Sequence, residues 1–228
     1  MPNQGFIINL IDNLTLLTLI IIALFLVVKK GWINRPMRFI LINVCFSISL
    51  YIIGFFYPMS TRTNEVITNL TLHIDTLSGL GFFYYLWIDL RYRKFLVISV
   101  IPVLVVWLFT FLVMRDLSNH YWNLVLSSLW FLVAAQYAML LLYRKSSFQD
   151  TAPYVSRFLL ITGFLFYNFV YLVIEICYIF FTSISNITDA WNINYWAYFI
   201  FRLMMLAGVL AWYTRRQEAS PVLAGIRK

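Results

Sequence analysis

Seven apolar runs separated by short polar loops leave this chain few ways to fold. They cover roughly residues 9–28, 37–57, 67–88, 95–113, 122–143, 156–181 and 194–214. Each is near the ~20 residues needed to cross ~30 Å of hydrocarbon. In lipid every backbone N–H and C=O must be bonded within its own segment, so each run is read as an α-helix. The expected architecture is all-α, a polytopic membrane protein in which residues 1–228 form one seven-transmembrane-helix bundle. The third run is the weakest, because His73 and Asp75 interrupt it. Composition agrees with a membrane protein: 62% of residues are hydrophobic and 11% charged, where soluble domains carry about 25% charged residues. A disordered chain, a disulfide scaffold and a nucleic-acid module are excluded on the same grounds. Cys45 and Cys177 both fall inside apolar runs and read as buried small hydrophobes.

Charge placement sets the expected orientation. Of 17 Lys and Arg, fourteen fall on one side: Lys29, Lys30, Arg35, Arg38, Arg91, Arg93, Lys94, Arg144, Lys145, Arg157, Arg215, Arg216, Arg227 and Lys228. Only Arg62 and Arg115 fall on the other, and Arg202 lies within a span. Basic residues in short loops stay cytoplasmic. The N-terminus is therefore expected outside and the C-terminus inside, with 215–228 a short basic cytoplasmic tail. The first run ends in Lys29-Lys30 and not in a small-residue cleavage site, so it reads as a retained span. The plasma (inner) membrane is the expected location. Anionic lipids suit the basic clusters, and Arg91, Arg93, Lys94, Arg144 and Lys145 are the expected contacts for a protein partner. Tyr57, Tyr121, Trp122, Trp191, Tyr195 and Trp196 read as an outer aromatic belt, and Trp32, Trp87, Tyr92, Tyr143, Trp212 and Tyr213 as an inner one.

Ionisable residues inside spans are costly and mark function by default. Asp75, Glu175 and Arg202 are such residues. Counting from the expected span ends at ~1.5 Å per residue puts them about 12, 9 and 12 Å below the outer edge. At one shared level, Glu175 and Arg202 are expected to pair, with Asp75 as the unbalanced acid. Steps of three and four gather polar residues into inward stripes. Span six gives Asn168, Tyr171, Glu175, Tyr178 and Thr182, and span seven gives Tyr195, Tyr198, Arg202 and Met205. Span three gives Thr68, Thr71, Asp75, Ser78, Phe82, Tyr85 and Asp89, and span two a milder set of Asn43, Ser47, Tyr51 and Gly54. The candidate ligand site is Asp75, Glu175, Arg202, Tyr171, Tyr178, Tyr198 and Asn168. His73 lies about 200° around the helix from Asp75 and so serves another face. A satisfied histidine is its plainer reading, a proton relay its functional one. Gln136 on span five reads as a helix–helix hydrogen-bonding residue, and span four is expected to face lipid.

Several chemistries have no residues to carry them. Two His at unrelated depths cannot build a three-His metal site, and no metal or cofactor is expected. No G-x-S-x-G and no nucleotide-binding glycine motif occurs. An enzyme is not expected, a lipid-acting one using Asp75 and Glu175 being the one enzymatic reading left.

The Asp89-Leu90-Arg91-Tyr92 stretch is similar to the acid-Arg-Tyr triplet of rhodopsin-like G-protein-coupled receptors, with one residue too many. The companion proline of span six and Asn-Pro-x-x-Tyr of span seven are missing. The size resembles microbial rhodopsins, but span seven has no Lys for a retinal Schiff base. Seven-span sugar transporters are of similar size, but their Pro-Gln-like kinks are absent. The chain is assigned to none of these families. The functional expectation is a receptor-like sensor that binds a small ligand or cation in an outer-half polar pocket and signals to a cytoplasmic or membrane partner. A proton- or cation-coupled small-solute transporter is the alternative, and an accessory subunit of a membrane complex the second alternative.

Overall fold

The computed structural model describes residues 3–56, 60–115, 121–145, 152–180 and 187–218. Seven α-helices account for their regular structure, with no strand among the described residues. They are α1 (Asn3–Val28), α2 (Arg35–Phe56), α3 (Thr61–Leu86), α4 (Leu90–Leu112), α5 (Tyr121–Lys145), α6 (Ala152–Phe180) and α7 (Ile187–Glu218). Six of them, all but α3, are long and apolar enough to cross a membrane. The exception carries Thr68, Asn69, Thr71, His73, Asp75, Thr76 and Ser78 within three turns, the same interruption that weakens it in the sequence.

Local chemistry fixes several boundaries. Lys30 adopts a left-handed conformation (φ 52°), and Gly31 N–H returns to the Leu26 carbonyl at 2.6 Å. That closure ends α1 and turns the chain into α2. Ser60 caps α3 by accepting from Thr63 N–H. Asp89 caps α4, its Oδ1 accepting from the Arg91 and Tyr92 amides at 3.0 Å each. An acid at a helix N-terminus also matches the helix dipole. Asp89 therefore opens α4 and does not close the polar stripe of α3, which ends at Leu86.

The helices pack in a ring, α1 on α2, α2 on α3, α3 on α5, α5 on α6, α6 on α7 and α7 back on α1. The remaining helix, α4, lies against α3 and α5. Apolar burial does not drive helices together in lipid, so close packing depends on small residues. Gly79 of α3 receives the ring of Phe131 from α5, and Gly81 receives Phe39 from α2. Between α6 and α7 a Cβ on Gly208 would stand 2.7 Å from Leu160 Cγ. There Ser156 Oγ donates to the Gly208 carbonyl at 2.6 Å. An aromatic cluster centred on Phe164 ties α3, α5, α6 and α7 together at mid-bundle. Its ring centroids stand 5.4 Å from Phe82 and Phe83, 5.7 Å from Phe131 and 5.0 Å from Phe201.

Several outward and inward assignments need correction. Tyr92 and Trp87 are buried and do not stand in a belt, and Tyr92 donates its hydroxyl to the Ala134 carbonyl at 3.0 Å. Gln136 and Cys45 are exposed and face away from the bundle. The outward positions of α4 are apolar, from Val97 and Ile98 through Leu112, while its Ser99 and Trp107 turn toward α5 and α3.

Candidate functional site

The midpoint layer of the bundle holds a linked polar set. Arg202 of α7 is 1% exposed, a depth at which every N–H needs an acceptor. Its Nη1 donates to Asn43 Oδ1 at 2.8 Å and lies 3.6 Å from Met205 Sδ. Its Nη2 donates to Tyr198 Oη at 2.6 Å and Ser47 Oγ at 3.1 Å. The guanidinium also lies over the rings of Tyr198 and Phe201, 4.6 and 4.9 Å from their centroids. Only Nε is without a partner.

Asp75 joins this set through Asn43. The Asn43 amide donates from Nδ2 to Asp75 Oδ1 at 2.7 Å and to Ser78 Oγ at 3.1 Å. One carboxamide thus accepts from the base and donates to the acid, which no hydroxyl-free apolar side chain can do. The opposite charges are within electrostatic reach without touching. The second oxygen of Asp75 takes no hydrogen bond from the described residues, and the side chain is only half-buried.

The expected Glu175–Arg202 pair does not form. Glu175 is buried and takes its hydrogen bond from the Tyr171 hydroxyl, one turn back on the same helix. The reason is helix length. With α7 starting at Ile187 and not near 194, Arg202 sits halfway along its helix, while Glu175 is five residues from Phe180 at the end of α6. Arg202's own turn meets α6 at Gly163, Phe164 and Tyr167. Glu175 is two turns further along.

A cavity of about 210 Å³ opens against this layer. Its lining draws Asn43 from α2; Thr68, Thr71, Leu72 and Asp75 from α3; and Leu124, Ser128 and Phe131 from α5. From α6 come Phe164, Tyr167, Asn168 and Tyr171, and from α7 Tyr198, Phe201 and Arg202. Five of the seven residues expected from the sequence line it together: Asp75, Arg202, Asn168, Tyr171 and Tyr198. Glu175 stands behind Tyr171, and the side chain of Tyr178 lies outside the described residues. Asn43 was legible only as part of a mild stripe, and Tyr167 lies beside Asn168 where the periodicity did not point. Its ring stacks on Phe201 at 5.2 Å and tilts against Tyr198 at 5.3 Å.

His73 stands apart from this site. It is 4% exposed and packs on Trp107 of α4, ring centroids 4.4 Å apart. Neither ring nitrogen has a hydrogen-bond partner among the described residues. Its aromatic packing alone is what a phenyl ring supplies. His73→Phe is expected to leave thermal stability unchanged or raise it, because two buried unpaired nitrogens disappear. A fall in melting temperature would show that the imidazole has a polar partner.

The far ends of α3 to α7 carry the basic residues expected to meet a partner. Arg91, Lys94 and Arg144 are exposed. Arg93 is already engaged through Nε. Its Nε donates to the Tyr84 and Trp87 carbonyls at 3.0 and 3.1 Å, capping α3, and its guanidinium lies 4.8 Å from the Tyr84 ring. The side chain of Lys145 and residues 219–228 of the tail lie outside the described residues. Among the described residues no three His, Cys, Asp or Glu gather as a metal site. Comparison with family models, curated proteins and solved structures returns no match to this chain.

Proposed function

We propose that this chain is a seven-span membrane sensor in the plasma (inner) membrane. Its N-terminus is outside and its C-terminus cytoplasmic, and it reads a small ligand in the central cavity. The observation that carries the reading is the cavity's one-sidedness. Polar side chains line it from the middle toward the ends of α3, α5 and α7 at which those helices start. On the other side the Phe164 cluster meets buried Leu86, Ala134, Ala135, Leu160, Ile161 and Val209. A carrier needs a polar route through both halves, and an apolar plug favours binding without passage. Including α3 as a span follows from the ring, since its polar face is turned onto α2 and α5 and not toward lipid.

The output rests on geometry too. The cavity takes side chains from five helices, so a ligand that draws them together also shifts their far ends, where Arg144 of α5 is exposed and where α4, packed on α3 and α5, presents Arg91 and Lys94. No loop is long enough for a catalytic domain, so the signal passes to a partner protein at that face.

Spin labels at positions 91 and 144 of the protein in vesicles test the reading. Small molecules selected by thermal shift are added outside. A changed label separation with no solute inside the vesicles is expected, while accumulation inside makes the protein a carrier. A tag before Met1 is expected to be reached from outside intact cells and a reporter after Lys228 to be cytoplasmic, following the basic asymmetry. An externally accessible C-terminus would invert the sensor's two faces.

A further inference from the structure

The hydrogen-bonding inventory of the cavity wall says which ligand it fits, given that the cavity is a ligand site as proposed above. Several donors on the wall are already spent inside the protein. Thr71 Oγ1 donates to the Ile67 carbonyl at 2.7 Å, and Asn168 Nδ2 donates to the Phe164 carbonyl at 2.9 Å. Tyr171 gives its hydroxyl proton to Glu175. Four of the five N–H groups of Arg202 meet Asn43, Met205, Ser47 and Tyr198. Beside the hydroxyls of Ser128, Tyr167 and Tyr198, which can donate or accept, what stays open is acceptors: the second oxygen of Asp75, the lone pairs of Thr71 and the carbonyl oxygen of Asn168. A wall rich in acceptors matches a ligand rich in donors.

Formal charge points the same way. Asp75 and Arg202 balance each other through Asn43, while Glu175 behind Tyr171 adds a second acid with no base beside it. Asp12 of α1 adds a further acid in the same half, within electrostatic reach of Tyr51 and Tyr195. No other Lys or Arg lines the cavity. Uncompensated negative charge inside a bundle calls for a cation.

Size and the apolar wall complete the description. A cavity near 150 Å³ holds a benzene-sized molecule. The 210 Å³ here then has room for about eight non-hydrogen atoms. Phe131, Phe164 and Phe201 give the lining aromatic atoms for an apolar body to meet, and the Tyr167 and Tyr171 rings stand beside them. We propose that the cavity takes a small monocationic amine with an apolar body. Its ammonium sits on Asp75 and Asn168, and its body lies against Phe131, Phe164 and Phe201.

Three probes of nearly one shape decide it: benzylammonium, benzyl alcohol and benzoate. Each is titrated by calorimetry into the full-length protein in detergent, against a matched micelle blank. Saturable binding of benzylammonium is expected at least about tenfold tighter than that of benzyl alcohol, with no binding of benzoate. Asp75→Asn is expected to erase the preference for the ammonium while benzyl alcohol still binds; should that variant not fold, the three-probe comparison on the unaltered protein decides alone. Equal binding of alcohol and ammonium, or tighter binding of benzoate, overturns the amine while leaving a ligand cavity in place. No saturable binding of any of the three overturns both the amine and the cavity reading on which it rests.

Discussion

Arg202→Met is expected to lower stability by roughly 3–5 kcal/mol, the cost of stranding groups that a buried charge had satisfied. The variant leaves Asn43 Oδ1 without its donor and removes the base that faces Asp75. Removing the acid as well is expected to return much of that loss, because Arg202→Met with Asp75→Asn leaves no lone charge in the layer. Arg202→Met with Glu175→Gln is expected to be additive within about 0.5 kcal/mol, since separate sites rarely couple. Denaturation in detergent of the single and double variants checks both statements. Coupling between Glu175 and Arg202 in place of Asp75 and Arg202 would restore the ion pair that spacing alone suggests.

That contrast shows where sequence reasoning reached and where it stopped. Run lengths and basic clusters carry the helix count, because both follow from bilayer thickness and backbone hydrogen bonding. Each run became one helix, and the weakest run, around His73 and Asp75, is the helix that falls short on hydropathy. The faces of helices were legible as well. Steps of three and four put Asp75, Asn168, Tyr171, Tyr198 and Arg202 on one wall. The same arithmetic put His73 on the other side of α3, where Trp107 covers it.

Levels were less legible than faces. A hydropathy profile shows where apolar side chains stop, and helices continue past that point. An early start for α7 at Ile187 moves Arg202 two turns relative to a count from residue 194. The expected partner Glu175 is then out of reach, and Asn43 takes its place. Asp89 shows the same limit at a helix end. Read as the last member of a stripe, it is a cap for the next helix, and only the three-residue link Trp87–Asp89 reveals the difference. Helix order is not written in periodicity at all, so the meeting of α2 with α3 and α7 around one amide had no signal beyond a polar residue in the stripe of α2.

The second large effect is expected at that amide. Asn43→Leu is nearly conserved in volume and takes out the one group that touches both charges. Among the described residues, Asp75 then loses its only hydrogen bond to another side chain, Ser78 loses a donor, and Arg202 loses one of two oxygen partners at Nη1 and Nη2 that lie outside its own helix. A hydrogen bond to a charged group contributes about 1.5–3 kcal/mol, and two are removed at once, so a loss of roughly 3–6 kcal/mol follows. Ser47→Ala removes only the 3.1 Å contact to Arg202 and is expected to cost no more than about 1–2 kcal/mol. Asn43→Asp separates charge from shape. A carboxylate there keeps the acceptor for Arg202 but faces Asp75 as a like charge, so the loss persists and is relieved when Asp75→Asn is added. Melting temperatures of these variants in one detergent give the order directly. If Asn43→Leu costs no more than Ser47→Ala, the amide does not hold the two charges together. The acid and the base would then be satisfied separately.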